Sequence, residues 1–199
     1  MNKGGQIVKH PDEGDLISRK TLLKRGGALL GGAVLLGIAA KRPVEAAQGR
    51  TLTFDIACDG RTLRVIPTLR PEGPQRGDAF IINGKVFPGG TNPPSPDQAG
   101  SIADWICYGT IYGDIFSCET PHAYVTETLE FYDGDVINDT GPTGGEGIVR
   151  IVLGGQGRFV GIEGTVAETV LGTNDTCLQL SPDVCAPAPV YRMVFHLIH

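Results

Sequence analysis

The chain has 199 residues, of which 41% are hydrophobic and 20% are charged, and its formal net charge is −5 at pH 7. Residues 48–199 alone hold nine Lys or Arg and eighteen Asp or Glu, which gives this part a net charge of −9. A surface this acidic repels phosphate backbones and anionic lipid headgroups, which argues against nucleic acid as a partner.

The first 47 residues are predicted to be an export signal rather than part of the fold. The basic sequence SRKTLLK (residues 18–24) precedes a Gly-rich apolar run at 26–40, and a small-residue cleavage site follows near Ala46 and Ala47. The SRKTLLK sequence resembles a twin-arginine leader, which implies a periplasmic or extracellular protein. An uncleaved membrane anchor is the alternative, but a spanning helix needs about 20 strongly apolar residues. We therefore expect cleavage, no stable membrane anchor afterwards, and one domain over residues 48–199.

All five cysteines lie in the predicted mature part, and in an exported protein they are interpreted first as disulfide partners. Cys177 and Cys185 bracket a Pro-containing loop, and Cys107 and Cys118 flank a predicted hairpin. Cys58 is then left as a buried thiol, although it could pair with another cysteine instead, and the connectivity stays open. The sequence contains no Cys-x-x-Cys or His-x-x-x-His spacing, so no metal site is predicted.

Runs rich in β-branched and aromatic residues, separated by turn signals, predict an all-β domain. Asp59-Gly60 and residues 139–147 are predicted turns, and Asn83-Gly84 is either a turn or a bulge. The loop at 88–99 is long enough to suggest a lid. Seven or eight antiparallel strands of this kind form a sandwich or a barrel. In chain order the predicted strands are 51–57, 61–67, 78–87, 101–112, 123–132, 148–153, one that starts at Phe159, and 190–198.

The sequence GGQGRFVGIEGTV (residues 154–166) is the most informative stretch of the chain. It follows an apolar strand, and three glycines in four residues permit a turn with positive φ before the strand predicted to start at Phe159. Gly161 and Gly164 lie inside that strand, where glycine usually marks a bend or a close backbone approach. Such a hairpin suits the corner of a small closed barrel.

This hairpin and the aromatic-rich strand at 190–198 resemble the GGxGxFxGxxG segment near the end of plant allene oxide cyclases and dirigent proteins. Residues 77–83 (GDAFIIN) and the pattern Glu127-x-Leu129-x-Phe131 are similar to earlier strands of that family. The resemblance implies a single closed antiparallel eight-stranded β-barrel, calycin-like in form. An immunoglobulin-like sandwich would need a Cys…Trp…Cys spacing that is absent here.

The same resemblance implies an isomerase or cyclase that uses no metal or organic cofactor. Such a barrel holds a small hydrophobic molecule while the molecule cyclises or isomerises. A non-catalytic binding barrel, or a secreted structural or interaction barrel, is the alternative. Two differences from the dirigent pattern favour this alternative. Dirigent proteins carry an Asp where this chain has Asn83, and they carry a Gly-Arg pair where this chain has residues 106–109. A homo-oligomer is left open.

Three charged residues are predicted on strand faces that are otherwise apolar. By alternation, Glu127 shares a face with Val125, and Glu168 shares one with Val166. An acid on an apolar face is costly unless it is paired or protonated, so both are functional candidates; a solvated outer face is the alternative. Arg150 could pair with either acid, although a solvent-facing arginine is the commoner arrangement in a strand.

The candidate residues fall into two groups. Aromatic side chains would hold an apolar molecule, although aromatic residues in strands more often serve ordinary packing. The predicted catalytic residues, which would polarise or protonate the substrate, are Glu127, Asn83 and Arg150. The predicted ligand-binding residues are Trp105, Tyr108, Tyr112, Glu168 and Tyr191.

Overall fold

The computed structural model describes residues 49–66, 70–91, 95–113, 122–145 and 147–199. The predicted leader therefore lies outside the described residues, as does Cys118. Within the described ranges the helical content is a single 3-10 turn, Gly157–Phe159, and no helix has the length and apolar character needed to cross a membrane.

Eight antiparallel strands form a closed barrel in which each strand pairs with the next along the chain. The barrel closes where the first strand pairs with the last, with Phe54 opposite Met193 and Ala57 opposite Val190. This confirms the predicted all-β class and the closed eight-stranded barrel, and it excludes a two-sheet sandwich because the pairing is continuous around the sheet. The strands are Arg50–Ile66 (β1), Ala79–Pro88 (β2), Ala103–Ile111 (β3), Ala123–Phe131 (β4), Val136–Thr143 (β5), Ile148–Gln156 (β6), Glu163–Ser181 (β7) and Val184–Ile198 (β8).

Aromatic rings close one end of the barrel, where β2 and β4 finish. The rings of Phe54, Phe131, Phe159 and Phe195 are all buried. They form three contacting pairs, in which the ring centroids lie 5.3 to 5.9 Å apart. Burial of one such ring stabilises a fold by about 1.5–3 kcal/mol, and tilted ring pairs add to this. This end is therefore packed core.

The first strand is continuous where the sequence predicts two strands. The predicted turn at Asp59-Gly60 lies inside β1, and a shift in register against β2 between Asp59 and Arg64 marks an irregularity there. The bulge takes up the local turn tendency without reversing the chain. Both halves of β1 therefore remain in the barrel wall.

Asn83-Gly84 also fails to make a turn, because both residues lie within β2. A Cβ on Gly84 would lie 2.5 Å from the carbonyl oxygen of Ala57 and 3.0 Å from Cε3 of Trp105. Gly84 thus gives the neighbouring backbone and the indole ring room to approach.

The glycine hairpin and the following element differ in detail from the prediction. Phe159 ends the 3-10 turn instead of starting a strand, Gly161 has a φ of +72°, and β7 begins at Glu163. The predicted turn at 139–147 is mostly strand, because β5 extends to Thr143 and pairs with β4 along its length. Long-range pairing here outweighs the local Gly and Pro content.

Beyond the barrel wall, β7 and β8 continue as a two-stranded arm, defined here as residues 173–189. The arm lies against β1. The amide of Gly60 donates to Oγ1 of Thr176 at 3.0 Å, and Nδ2 of Asn174 donates to the carbonyl of Cys58 at 2.8 Å. These bonds fix the arm over the second half of β1.

The cysteines are divided between the arm and the barrel interior. Cys177 and Cys185 form a disulfide, which confirms their predicted pairing, and the disulfide joins the two strands of the arm. Cys107 is a free, buried thiol, which does not support its predicted pairing with Cys118. Cys58 is also free and buried, and burial is the main cause that raises the pKa of both thiols well above the usual value. Neither thiol is therefore activated as a nucleophile.

The described residues of the loop at 88–99, which are 88–91 and 95–99, make contacts to the outside of β1. The amide of Gly90 donates to Oδ2 of Asp55 at 2.9 Å, and Arg61 Nη2 lies 2.8 Å from Oδ1 of Asp97. These contacts do not support the expectation that the loop is a lid.

Candidate functional site

The middle of the barrel holds a buried arginine that contacts three carboxylates. Nε of Arg150 on β6 lies 2.6 Å from Oδ1 of Asp139 on β5, and Nη2 lies 2.9 Å from Oε2 of Glu127 on β4. Nη1 pairs with Glu168 on β7. No side chain of the four is more than 1% exposed. We call these four residues the Arg150 cluster.

Strand alternation places all four side chains inside, and other inward residues support them. Nε1 of Trp105 donates to Oε2 of Glu127 at 2.9 Å, and the hydroxyl of Thr143 donates to Oε1 of Glu168 at 3.0 Å. Gly141 is required opposite the arginine, because a Cβ there would lie 2.8 Å from Cγ of Arg150. The small residue Gly141 thus leaves the space that the large side chain of Arg150 needs.

Burial changes the ionisation of the carboxylates. Burial, together with the nearby Asp139 and Glu168, raises the pKa of Glu127 to about 8 in spite of the opposing effect of Arg150. Burial likewise raises the pKa of Asp139 to about 6 against the attraction of the same guanidinium. Burial works against the charge on Arg150, but the three acids outweigh it and raise the pKa of Arg150 above its usual value. Near neutral pH, Glu127 is therefore protonated and the cluster still carries more negative than positive charge.

A cavity of about 360 Å³ opens at the end of the barrel opposite the aromatic rings. Its polar lining groups include Tyr191, His122 and the backbone of Gly144, and the arm forms part of its wall. The Arg150 cluster does not line the cavity but lies behind it, since the amide of lining residue Gly144 donates to Oε1 of Glu168 at 3.4 Å. The main apolar lining residues are Leu63, Val65, Phe80, Ile111, Leu178 and Leu180.

Tyr191 joins the cavity to the charged interior. It lines the cavity, and its hydroxyl has no hydrogen-bond partner among the described residues. Burial is the main cause that raises the pKa of Tyr191 well above its usual value, and Cys58 and Glu168 act in the same direction. The hydroxyl therefore stays protonated and can donate a hydrogen bond into the cavity.

The structure brings together Glu127, Arg150 and Glu168 from the predicted site residues. Trp105 is inside as well, where its indole serves the Glu127 carboxylate, and it also borders a groove on the outer surface. Tyr191 lines the cavity as predicted for a ligand-binding residue. Whether any of these residues acts on a substrate stays a prediction.

Three predicted site residues lie elsewhere. Asn83 is exposed on the outer face of β2, because the inward positions of that strand are Ile82 and Gly84. Asn83 borders the outer groove and lies away from Glu127 and Arg150. Tyr108 points outward from β3 and is 52% exposed, while Tyr112 follows that strand and is 38% exposed. Neither tyrosine lines the cavity.

Sequence reasoning missed Asp139 because the Gly and Pro residues after it suggested a turn. A signal was present, since Ile137, Asp139 and Gly141 alternate in the manner of an inward strand face. The same omission hid the role of Gly141 beside Arg150. Among the described residues there is no group of three or more His, Cys, Asp or Glu side chains arranged to hold a metal ion.

The outer groove has a volume of about 380 Å³ and a polar lining. Most of its charged groups are paired, since Lys85 bonds Asp104, while Asp59 and Asp97 both bond the nearby Arg61. Glu130, which is exposed and also lines the groove, has no ion pair among the described residues.

No protein-family model matches the sequence, and no curated protein matches it. Several solved structures do. The pterocarpan synthase dirigent protein PsPTS1 has a TM-score of 0.57 at 12% identity, with 76% of this chain and 96% of that chain covered. The pterocarpan synthase dirigent protein GePTS1 has a TM-score of 0.56 at 10% identity, with 88% and 98% covered. The Diels Alderase AbmU from Streptomyces koyangensis has a TM-score of 0.46 at 19% identity, with 78% and 70% covered. The described part of this chain thus has the barrel fold of the dirigent proteins.

Proposed function

We propose that this protein binds a small hydrophobic molecule in the cavity at the open end of the barrel and steers its cyclisation or isomerisation without a cofactor. The observation that carries the proposal is the position of the Arg150 cluster, which has three acids for one base, directly behind a mostly apolar cavity. Holding a flexible molecule in one reactive shape requires only a few kcal/mol of differential binding.

The lining residues would divide the work between shape and charge. The apolar wall restricts the conformations that the bound molecule adopts, and the Tyr191 hydroxyl donates to an oxygen of that molecule. Excess negative charge behind the wall stabilises positive charge that develops on a rearranging carbon skeleton, because charges act strongly where water is excluded. Glu127 holds a proton near neutral pH and is thus a proton donor in the barrel interior behind the wall.

A non-catalytic binding barrel is the second candidate, and one observation favours it. Each acid of the Arg150 cluster is already bonded to the guanidinium, and none of them lines the cavity. In that case the cluster would stabilise the barrel interior, and the cavity would carry or store its ligand unchanged.

Native mass spectrometry of protein recovered from its source is the first test. The expected result is a co-purifying hydrophobic molecule, and product analysis after incubation then separates turnover from storage. Tyr191→Phe is expected to lower turnover, whereas Tyr108→Phe, on the outer face, is the matched control and should have no effect. Binding that persists with no change in the ligand would favour the non-catalytic barrel. A cavity that binds no apolar molecule would contradict both candidates.

We also infer that the chain is exported through the twin-arginine pathway. The support is the sequence SRKTLLK before a weakly apolar Gly-rich run. Replacing Arg19 and Lys20 by Gln is expected to retain unprocessed protein in the cytoplasm, and replacing Lys3 and Lys9 by Gln, outside SRKTLLK, is the charge-matched control. Export that is unaffected by the double replacement would contradict this pathway.

A further inference from the structure

The cavity is unusual in how its charges are arranged. The lining residues within the described ranges include no Lys, Arg, Asp or Glu, and their titratable groups are Tyr191 and His122. The polar atoms are thus few, and the wall around them is formed by aliphatic and proline side chains. A molecule that enters gives up most of its contact with water.

The nearest groups behind the wall make the cavity unfavourable for an anion. Arg150 carries one positive charge and is bonded to three carboxylates, of which Glu168 is bonded to the lining backbone at Gly144. With Glu127 protonated, one cation faces two carboxylates, and none of the positive charge is left over for a ligand. The free thiol of Cys58 remains neutral because burial is the largest cause that raises its pKa. A carboxylate in the cavity would therefore be buried with no Lys or Arg side chain among the described lining residues to pair with it, which costs far more than burying a neutral polar group.

Tyr191, in contrast, favours a ligand that carries a hydrogen-bond acceptor. Its hydroxyl reaches the cavity, has no partner among the described residues, and keeps its proton. A hydrocarbon that covers this hydroxyl removes it from water without replacing the hydrogen bond, so a ligand that offers an oxygen acceptor there gains relative to a plain hydrocarbon. A carbonyl, ether or hydroxyl group meets this requirement without adding charge.

We propose that the cavity, in the ligand-binding role given under Proposed function, selects uncharged apolar molecules that carry a hydrogen-bond acceptor for Tyr191 and rejects the corresponding carboxylates. This inference rests on the proposed function, since it assigns the class of molecule that the same cavity takes. The cavity volume of about 360 Å³ lies toward the lower end of the range for small-molecule sites. A bicyclic or similarly compact skeleton therefore suits it.

Three naphthalenes of nearly equal shape test the proposal: methyl naphthyl ketone, isopropylnaphthalene and naphthoate. Binding of each compound to the purified protein is measured by calorimetry in the same buffer at neutral pH. The ketone is expected to bind at least about tenfold more tightly than naphthoate. The ketone should also bind about fivefold more tightly than isopropylnaphthalene, because the ketone oxygen can accept a hydrogen bond and the hydrocarbon offers no acceptor.

Tyr191→Phe is expected to remove the advantage of the ketone over isopropylnaphthalene while leaving the affinity for isopropylnaphthalene unchanged. The unchanged hydrocarbon affinity shows that the variant is folded and its cavity intact. Tyr108→Phe is the matched control and should leave all three affinities as they are.

The outcomes separate this inference from the proposed function. Naphthoate binding as tightly as the ketone would overturn the inference and leave the cavity as a ligand site. An advantage of the ketone that survives in Tyr191→Phe would overturn the role of the hydroxyl. No binding of any of the three would count against the cavity itself and hence against the proposed function.

Discussion

At the scale of single residues, Arg150 holds three buried carboxylates together with one positive charge. We predict that Arg150→Met destabilises the protein by about 3–5 kcal/mol, because it leaves uncompensated acids in the barrel interior. The measurement is urea unfolding followed by circular dichroism at neutral pH. Arg61→Met is the matched control, since Arg61 also bonds two acids but is about half exposed, and its loss should be much smaller. Equal losses in the two variants would contradict the structural role given to Arg150.

A second residue-scale prediction concerns pH. Burial and the neighbouring acids raise the pKa of Glu127 to about 8, so the folded protein keeps a proton that the unfolded chain releases above its ordinary value of 4.5. The free energy of unfolding therefore falls as pH rises from about 4.5 to about 8 and levels off above that. The pKa of Asp139, raised by burial to about 6, gives a contribution of the same sign over a lower range.

The Glu127→Gln side chain cannot ionise. Between about pH 6 and pH 9 the free energy of unfolding of this variant should therefore fall by about 2 kcal/mol less than that of the wild type. The check is the urea midpoint of both proteins across this range. Glu130→Gln on the same strand replaces an exposed acid and should follow the wild-type pH dependence. A Glu127→Gln protein with the wild-type slope would show that this carboxyl does not titrate as stated.

Part of the candidate site could be predicted from single residues and part could not. The position of Glu127 could be predicted, because Glu127 alternates with apolar residues on β4 and that face is the inner one. The burial of Arg150 could not be predicted. The local sequence around an arginine in a strand is the same whether its side chain faces water or pairs with acids from three other strands. What decides its position is the set of partners on β4, β5 and β7, which only the closed barrel brings together.

At the scale of elements, local composition misled where long-range pairing decides the structure. The residues after Asp139 include three glycines and a proline within six positions, yet β5 remains paired with β4 as far as Thr143. The arm at 173–189 is similar, since a proline between Cys177 and Cys185 suggested a loop, but β7 and β8 stay paired almost to their ends. Alternation predicted strands well, whereas turn residues predicted turns only where no partner strand competed.

The arm gives an element-scale prediction. The Cys177–Cys185 disulfide closes a short loop at the tip of two strands that wall the cavity. The double variant with both cysteines replaced by Ser should keep the barrel but open the arm more readily, by about 2–3 kcal/mol in the chain-entropy description. Hydrogen exchange should rise over residues 173–189 and stay unchanged in β4, which serves as the internal control. Uniform faster exchange throughout the barrel would contradict a local role for the disulfide.

At the scale of the whole molecule, the barrel has three layers along its axis. Aromatic rings fill one end, the Arg150 cluster crosses the middle, and the apolar cavity opens at the other end. The packed end stabilises the barrel and allows the middle to hold charges at the cost of desolvation. The open end can then vary its lining without disturbing the fold, which is how one barrel shape serves different ligands.

This arrangement requires that the first and last strands meet, and a cross-link tests that requirement directly. The hydroxyl of Thr51 on β1 lies 3.4 Å from Nδ1 of His196 on β8, and the two residues are register partners on the outer face. A Thr51→Cys, His196→Cys protein should form a disulfide under mild oxidation and unfold at a higher urea concentration. The gain in stability is expected to reach up to about 5 kcal/mol, because the cross-link closes a loop that spans nearly the whole barrel. A Thr51→Cys, Glu130→Cys protein is the control, since β1 and β4 are not neighbours and both new thiols are exposed. Failure of the first pair to link, or equal linking of the control pair, would mean that β1 and β8 do not close the barrel.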